Sequence, residues 1–307
     1  MNLLQRFTNY VRYRVKVQNK FWLKNLKYYG IPLVDIDTDN DGGIELKPLG
    51  LVLSGRDQLF VLRAYDMLRI ISKNKNCSIT QSQNLISISF KELSIPVDSK
   101  QEVFIFKEIF LDGTYNYEFT KPFSVIDIGF NVGMASLFFA LSDNVKKIYG
   151  FEPLKPTVQK AKKVLEENSK FKNKIDLSEF GMSNEDGGFS VKYDYENKGN
   201  AGIGQTKISS DQEEEIIVRD CSPVVSKILK KEKGNSIFVK IDCEGGEYAI
   251  IDRLAESGLL KEIDVIAIEF HFHGPDALTS TLKENKFDFF VLNPESEIGM
   301  IYAFKEK

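Results

Sequence analysis

Two short stretches hold most of the side chains that could move a proton. "VKIDCEGGE" (239–247) carries Lys240, Asp242, Glu244 and Glu247; "EFHFH" (269–273) carries Glu269, His271 and His273, the only two histidines of the chain. Each begins as an apolar run that reads as a buried strand and ends in polar residues. The ionisable groups therefore fall at strand ends, where open α/β sheets bind ligands. Strand alternation puts Lys240 and Asp242 on one side. Glu244 follows in the turn, and Glu247 opens the next helix. Such a set suits taking the proton from a hydroxyl, with Asp242, His271, Glu244 and Glu269 as the candidate catalytic residues. Two plainer roles compete: Lys240 and Glu269 as a satisfied buried pair, and Glu247 as an acid that only favours a helix N-terminus. A divalent ion held by Asp242, Glu244 and Glu269 is a further alternative, but the spacing gives no ligand geometry, and no metal is assigned.

A third stretch, "VIDIGFNVGMASLFFA" (125–140), reads as strand, glycine turn and helix. Gly129 and Gly133 allow close backbone approach to a ligand, and the helix that follows presents free N–H groups. Glu152 closes the next strand, "YGFEP", 19 residues beyond Gly133. An acid at that place accepts the hydroxyls of a ribose. The turn lacks the G-x-G-x-x-G spacing of dinucleotide sites and the lysine of a P-loop. Asp127 at its mouth would repel a phosphate and attract a cation. A nucleoside with cationic groups and no phosphate is S-adenosylmethionine. The alternative for Asp127 is a buried acid that caps the turn's own amides.

The elements around these stretches follow from pattern. From about residue 120, strands ("FSVIDIG", "KKIYGFEP", "KIDLSEFGM", "SIFVKID", "DVIAIEF") alternate with helices, which predicts a parallel sheet covered on both faces. "FDFFVLN" and "IGMIYAFK" are joined by a short turn and must be antiparallel. An insertion between the third and fourth strands reads as strand, mobile loop, strand. Residues 1–115 form a separate N-terminal region. It contains one or two aromatic-rich helices ending at "YYGIP", a strand over "IELKPLGLVLSG", an amphipathic helix over "RDQLFVLRAYDMLRIISKN", a hairpin at "SITQSQNLISISF", and a helix and loop over 99–119. Residues 116–307 form the ligand-binding domain.

The motifs "VIDIGFNVG", "GFEP", "VKIDCEGGEYAII" and "IEFH", in that order, resemble the FkbM family of S-adenosylmethionine-dependent methyltransferases across residues 105–305. The resemblance implies a class I methyltransferase fold, a Rossmann-like α/β sheet of seven strands with the last antiparallel, here with an N-terminal α+β extension. It implies S-adenosyl-L-methionine bound by Asp127, Gly129, Asn131, Gly133, Glu152, Pro153, Gly181, Met182 and Asp242, with Gly181 and Met182 beside the adenine. The family usually has Ala where this chain has Phe130, which either narrows the pocket or packs beneath it.

Composition narrows the rest. With 42% apolar and 28% charged residues and a net charge of −3, the chain is an ordinary soluble globular protein with no global attraction to nucleic acid. Residues 1–34 carry seven basic residues and no acid, which leaves 34 basic against 44 acidic residues elsewhere. This asymmetry marks either a solvated helix face or a peripheral membrane contact through residues 1–30. Three widely spaced cysteines give no disulfide framework. No secretory signal or spanning segment is evident, and a cytoplasmic protein, either free or membrane-associated, is expected. The expected activity is O-methylation of a small-molecule, glycan-linked or lipid-linked acceptor such as a sugar, glycolipid or polyketide. The rivals are a nucleic-acid methyltransferase using the basic N-terminus and a non-catalytic cofactor-binding protein. Asp-Cys-Glu-Gly after the fourth strand, instead of an N/D-P-P-Y/F sequence, disfavours amino methylation.

Overall fold

The computed structural model describes residues 17–38, 42–192 and 213–305. The chain divides into two compact units, Met1–Gly113 and Thr114–Lys307.

In the first unit, Asn19 caps the helix Lys20–Tyr28 by accepting from the backbone N–H groups of Phe21 and Trp22. The helix stops at Tyr28, where Gly30 at φ +66° and Pro32 follow. The remainder of the predicted N-terminal helical segment, residues 1–16, lies outside the described residues. "IELKPLGLVLSG" is two strands rather than one. Strands β2 (Ile44–Leu46) and β3 (Leu51–Leu53) join β1 (Ile36–Thr38) in an antiparallel sheet, with Gly50 at φ +65° in the turn. The single predicted amphipathic helix is broken at Ala64 into Leu59–Arg63 and Tyr65–Ser72. Its apolar face survives the break, and Leu62, Tyr65, Leu68 and Ile71 are all buried. The predicted hairpin is β4 (Cys77–Ser82) and β5 (Leu85–Phe90), extended by a third strand, β6 (Leu93–Val97). Ser99 caps the helix Lys100–Lys107.

The second unit is built on a seven-stranded sheet in the order β15-β16-β14-β13-β7-β8-β9. Its strands are β7 (Phe123–Ile128), β8 (Val145–Phe151), β9 (Ile175–Ser178), β13 (Ser236–Ile241), β14 (Val265–His271), β15 (Phe287–Leu292) and β16 (Ile298–Lys305). Six strands run in one direction; β16 alone enters antiparallel, between β14 and β15. This is the class I methyltransferase arrangement. Chain order reverses between β7 and β13, so a crevice opens beyond their C-terminal ends. One face packs in a large apolar core with the helices Cys221–Lys231, Glu247–Glu256 and Asp276–Glu284.

"KIDLSEFGM" is not one strand. β9 ends at Ser178, and β10 (Gly181–Ser183) leaves for a second, three-stranded sheet in the order β10-β12-β11, with β11 at Gly187–Lys192 and β12 at Glu213–Asp220. β11 and β12 are the antiparallel arms of the predicted insertion, and its expected mobile loop, residues 193–212, lies outside the described residues. Among the described residues no helix is long and apolar enough to cross a membrane.

Candidate active site

The glycine turn after β7 leaves little choice of residue. Gly129 has φ +82°, and a Cβ there would lie 1.7 Å from the Asp242 carbonyl oxygen. The N–H groups of Gly129 and Phe130 both donate to the Phe151 carbonyl, at 3.1 and 3.0 Å. Asn131 takes φ +53°, a left-handed conformation that Asn tolerates better than most residues. Its N–H donates to Glu152 Oε2 at 2.9 Å, and the Leu154 N–H donates to Oε1 at 3.0 Å. Glu152 is thus held against the turn by one backbone bond on each oxygen. Burial pushes its carboxyl up to about 7, against those two bonds and the Lys240 charge, which lower it.

Phe130 packs beneath the turn. It is buried against Gly133 and Gly150, and a Cβ on Gly150 would stand 2.1 Å from the Phe130 ring. Two glycines thus make room for the ring that replaces the family's usual Ala.

Asp127 is closed inside the protein. Its side chain is fully buried; Ser136 Oγ donates to Oδ2 at 2.7 Å, and Lys240 Nζ lies 3.1 Å from Oδ1. The plainer role considered for this acid, a structural one, matches its surroundings. Its main partner, however, is Lys240 rather than the turn's amides. Lys240 also donates to the Gly129 carbonyl at 2.6 Å and lies 3.4 Å from Asp242 Oδ2. Burial would lower the Lys240 ammonium's pKa, but Asp127 and Asp242 outweigh it and raise it. The buried pair offered for Lys240 is made with Asp127, while Glu269 acts on the ammonium through its charge.

At the exits of β13 and β14 the predicted residues come together around His271. His271 is buried, and its Nδ1 lies 2.8 Å from Glu247 Oε1. Its Nε2 lies 3.9 Å from both Glu244 Oε2 and Glu269 Oε1. Glu247 has no solvent exposure. It accepts from the N–H of Gly245 at 2.9 Å and of Cys243 at 3.3 Å, so it anchors the turn and the imidazole together. Burial would lower the His271 pKa, but the Glu247 hydrogen bond and the charges of Glu244, Glu247 and Asp242 push it up to about 9. Asp242, Glu244 and Glu269 keep partial access to solvent, with side chains 31%, 22% and 34% exposed. His273 is exposed and packs edge-on against Tyr248, outside this group.

Sequence reasoning placed Glu247 in the cluster, with a helix-end role as the alternative, but nothing local reveals its partner 24 residues away. Tyr115 was not singled out at all. It is buried with its hydroxyl pKa raised well above normal, first by burial and then by Asp242, Glu269 and Asp127. Gly181 falls beside Pro153: a Cβ on it would meet Val218 at 3.2 Å and Pro153 at 3.3 Å. The Met182 side chain is in the apolar core, leaving only its backbone for an adenine edge. Among the described residues no three His, Cys, Asp or Glu side chains group as metal ligands.

The model of the methyltransferase FkbM domain matches residues 127–289. The chain belongs to the FkbM methyltransferase family. Among curated proteins none matches it in sequence. Many solved structures are similar, and three of them, all at low identity, serve as examples. An FkbM methyltransferase from Methylobacillus flagellatus KT shares 12% identity at a TM-score of 0.44, over 95% of this chain and 62% of that one. An rRNA methylase from Streptococcus thermophilus shares 12% at 0.37, over 61% and 89%. SMU.1697c from Streptococcus mutans, solved in complex with SAH, shares 15% at 0.35, over 61% and 90%. The chain thus spans about 62% of the length of the first of these.

S-adenosylmethionine is the methyl donor that the FkbM methyltransferase domain implies. The residues present suit that molecule: a carboxylate at the end of β8 for ribose hydroxyls, a glycine turn, and the part-exposed carboxylates of Asp242, Glu244 and Glu269 for a cationic ligand.

Proposed function

We propose that this FkbM methyltransferase is an O-methyltransferase in which His271 takes the proton of the acceptor hydroxyl and Glu247 orients it. The carrying observation is the buried 2.8 Å contact between His271 Nδ1 and Glu247 Oε1. With Nδ1–H donating to Glu247, the neutral imidazole has its free lone pair on Nε2. That atom faces the part-exposed Glu244 and Glu269, where a hydroxyl would be held. A base fixed by a buried carboxylate is the arrangement that general-base catalysis requires. S-adenosylmethionine, when bound, would supply the methyl group from its sulfonium. Glu152 takes its ribose, the turn from Gly129 to Gly133 its methionine end, and Gly181 with Pro153 its adenine side. Buried Asp127 and Lys240 hold the turn's shape.

Asp242 is the alternative base. Its carboxylate lies 3.4 Å from the Lys240 ammonium, and that contact engages a lone pair a base would use. The test is turnover of His271→Gln and Asp242→Asn on a hydroxylated acceptor, with SAH affinity measured alongside. The base variant should lose about 10²–10⁴ in turnover and keep cofactor affinity within a few fold. If neither falls tenfold, the proton goes elsewhere.

A further inference from the structure

One face of the sheet changes character within two strands. Lys240, Ala267, Tyr302 and Phe290 are register partners across β13, β14, β16 and β15, and so share a face. Glu269, Met300 and Leu292 make the next row, and His271 stands opposite Ile298. The ionisable residues of the candidate site thus continue directly into apolar ones. Phe290 and Tyr302 stack at 4.8 Å. Phe290, Leu292 and Ile298 are 51%, 48% and 51% exposed, whereas Ile266, Ile268, Phe270, Ile301 and Ala303 on the opposite face are closed in the core. Open contiguous apolar surface of this kind marks a binding site.

Resting on the acceptor site assigned above, we infer that this strip holds the aliphatic chain of the acceptor, whose hydroxyl end lies at His271 and Glu269. Continuity selects this occupant. Met300 is one strand from Glu269 and Leu292 two, or about 5 and 10 Å at the usual spacing. No charged side chain interrupts the row from Glu269 to Leu292, and β15 is the sheet edge, so a chain leaving the site runs over apolar atoms out to solvent. The acceptor is then an amphiphile, a hydroxylated head on a long alkyl body, rather than a wholly polar sugar.

The experiment is a binding series of primary alcohols, 1-butanol to 1-decanol, titrated below their solubility limits into the full chain loaded with SAH. Affinity should rise at least about tenfold along the series, as each buried methylene strengthens binding. In the double variant Phe290→Ser, Leu292→Ser the rise should fall below about threefold, with SAH affinity unchanged. A flat series in the wild type, or an unchanged rise in the double variant, overturns the inference. So does sedimentation showing a wild-type dimer that the double variant makes monomeric, because the strip would then be a self-association face. Chain-length dependence without methyl transfer to any hydroxyl would keep the strip and sink the O-methyl reading; methyl transfer with a flat series would do the reverse.

Discussion

Lys240 stands in register with Asp127 on the neighbouring parallel strand, and its ammonium lies 3.1 Å from the Asp127 carboxylate with both side chains out of solvent. The same ammonium grips the Gly129 carbonyl at 2.6 Å. One buried ion pair therefore joins the two strands that flank the switch point and fixes the turn between them. Removing one partner leaves an uncompensated buried charge. Lys240→Met should cost ~3–5 kcal/mol in urea unfolding. The double variant Asp127→Asn, Lys240→Met should recover a good part of that. If the double variant costs as much as the two single ones together, the pair is not energetically coupled.

Phe130 and Gly150 form a second coupled pair. Phe130→Ala should cost ~3–4 kcal/mol by opening a cavity. Gly150→Ala should cost ~1–3 kcal/mol by driving a methyl into the ring. Together they should cost at least about 1 kcal/mol less than the sum, since the shortened side chain accommodates the new methyl. Strict additivity in chemical unfolding would mean that the ring does not fill the space above Gly150.

Glu152 carries a pH signature. Its folded-state pKa, about 7, lies above the ordinary 4.5. The folded protein therefore keeps a proton that the unfolded chain releases, and stability falls as pH climbs from about 4.5 to 7, by ~3 kcal/mol at most. Glu152→Gln should remove that decline. It should also weaken SAH by ~1.5–3 kcal/mol through loss of a charged acceptor for ribose hydroxyls. Calorimetry showing unchanged SAH affinity would refute the ribose role.

His271 runs the same way, in a higher pH window. Its folded pKa, about 9, lies above the ordinary 6.5. The stability it contributes is complete below about 6.5 and is lost as pH rises through 9, on the order of 2–3 kcal/mol. As a base it must be neutral, so turnover should climb with pH towards about 9. Glu247→Gln should lower turnover and move that rising limb towards 6.5, because the carboxylate that sustains the proton is gone. A pH–rate limb that stays in place in Glu247→Gln would show that the dyad does not set the titrating group. Loss of stability without any movement of the limb would leave Glu247 as a fold element only.

What was legible in the sequence was local or depended on order. The left-handed turn at Gly129 and Gly133, the acid closing the second strand, the terminal antiparallel hairpin and the four motifs in sequence could all be read, because backbone conformation and strand ends follow from nearby residues. The apolar face of residues 62–71 was visible even though the helix carrying it is broken. The charge partners were not legible. Whether Asp127 faces a ligand or Lys240, whether Glu247 caps a helix or holds His271, and whether Phe130 narrows a pocket or fills the space over Gly150 all depend on register between strands far apart in the chain. A charge or a ring does not say in one dimension which neighbour it will meet. Burial decided those questions: once the sheet brought Lys240 opposite Asp127 and His271 over Glu247, taking those groups out of water left pairing as their only low-energy arrangement. The chain's pattern thus determined the fold and the conformation of the glycine turn. Only the packed sheet decided which acids support the structure and which remain open for chemistry.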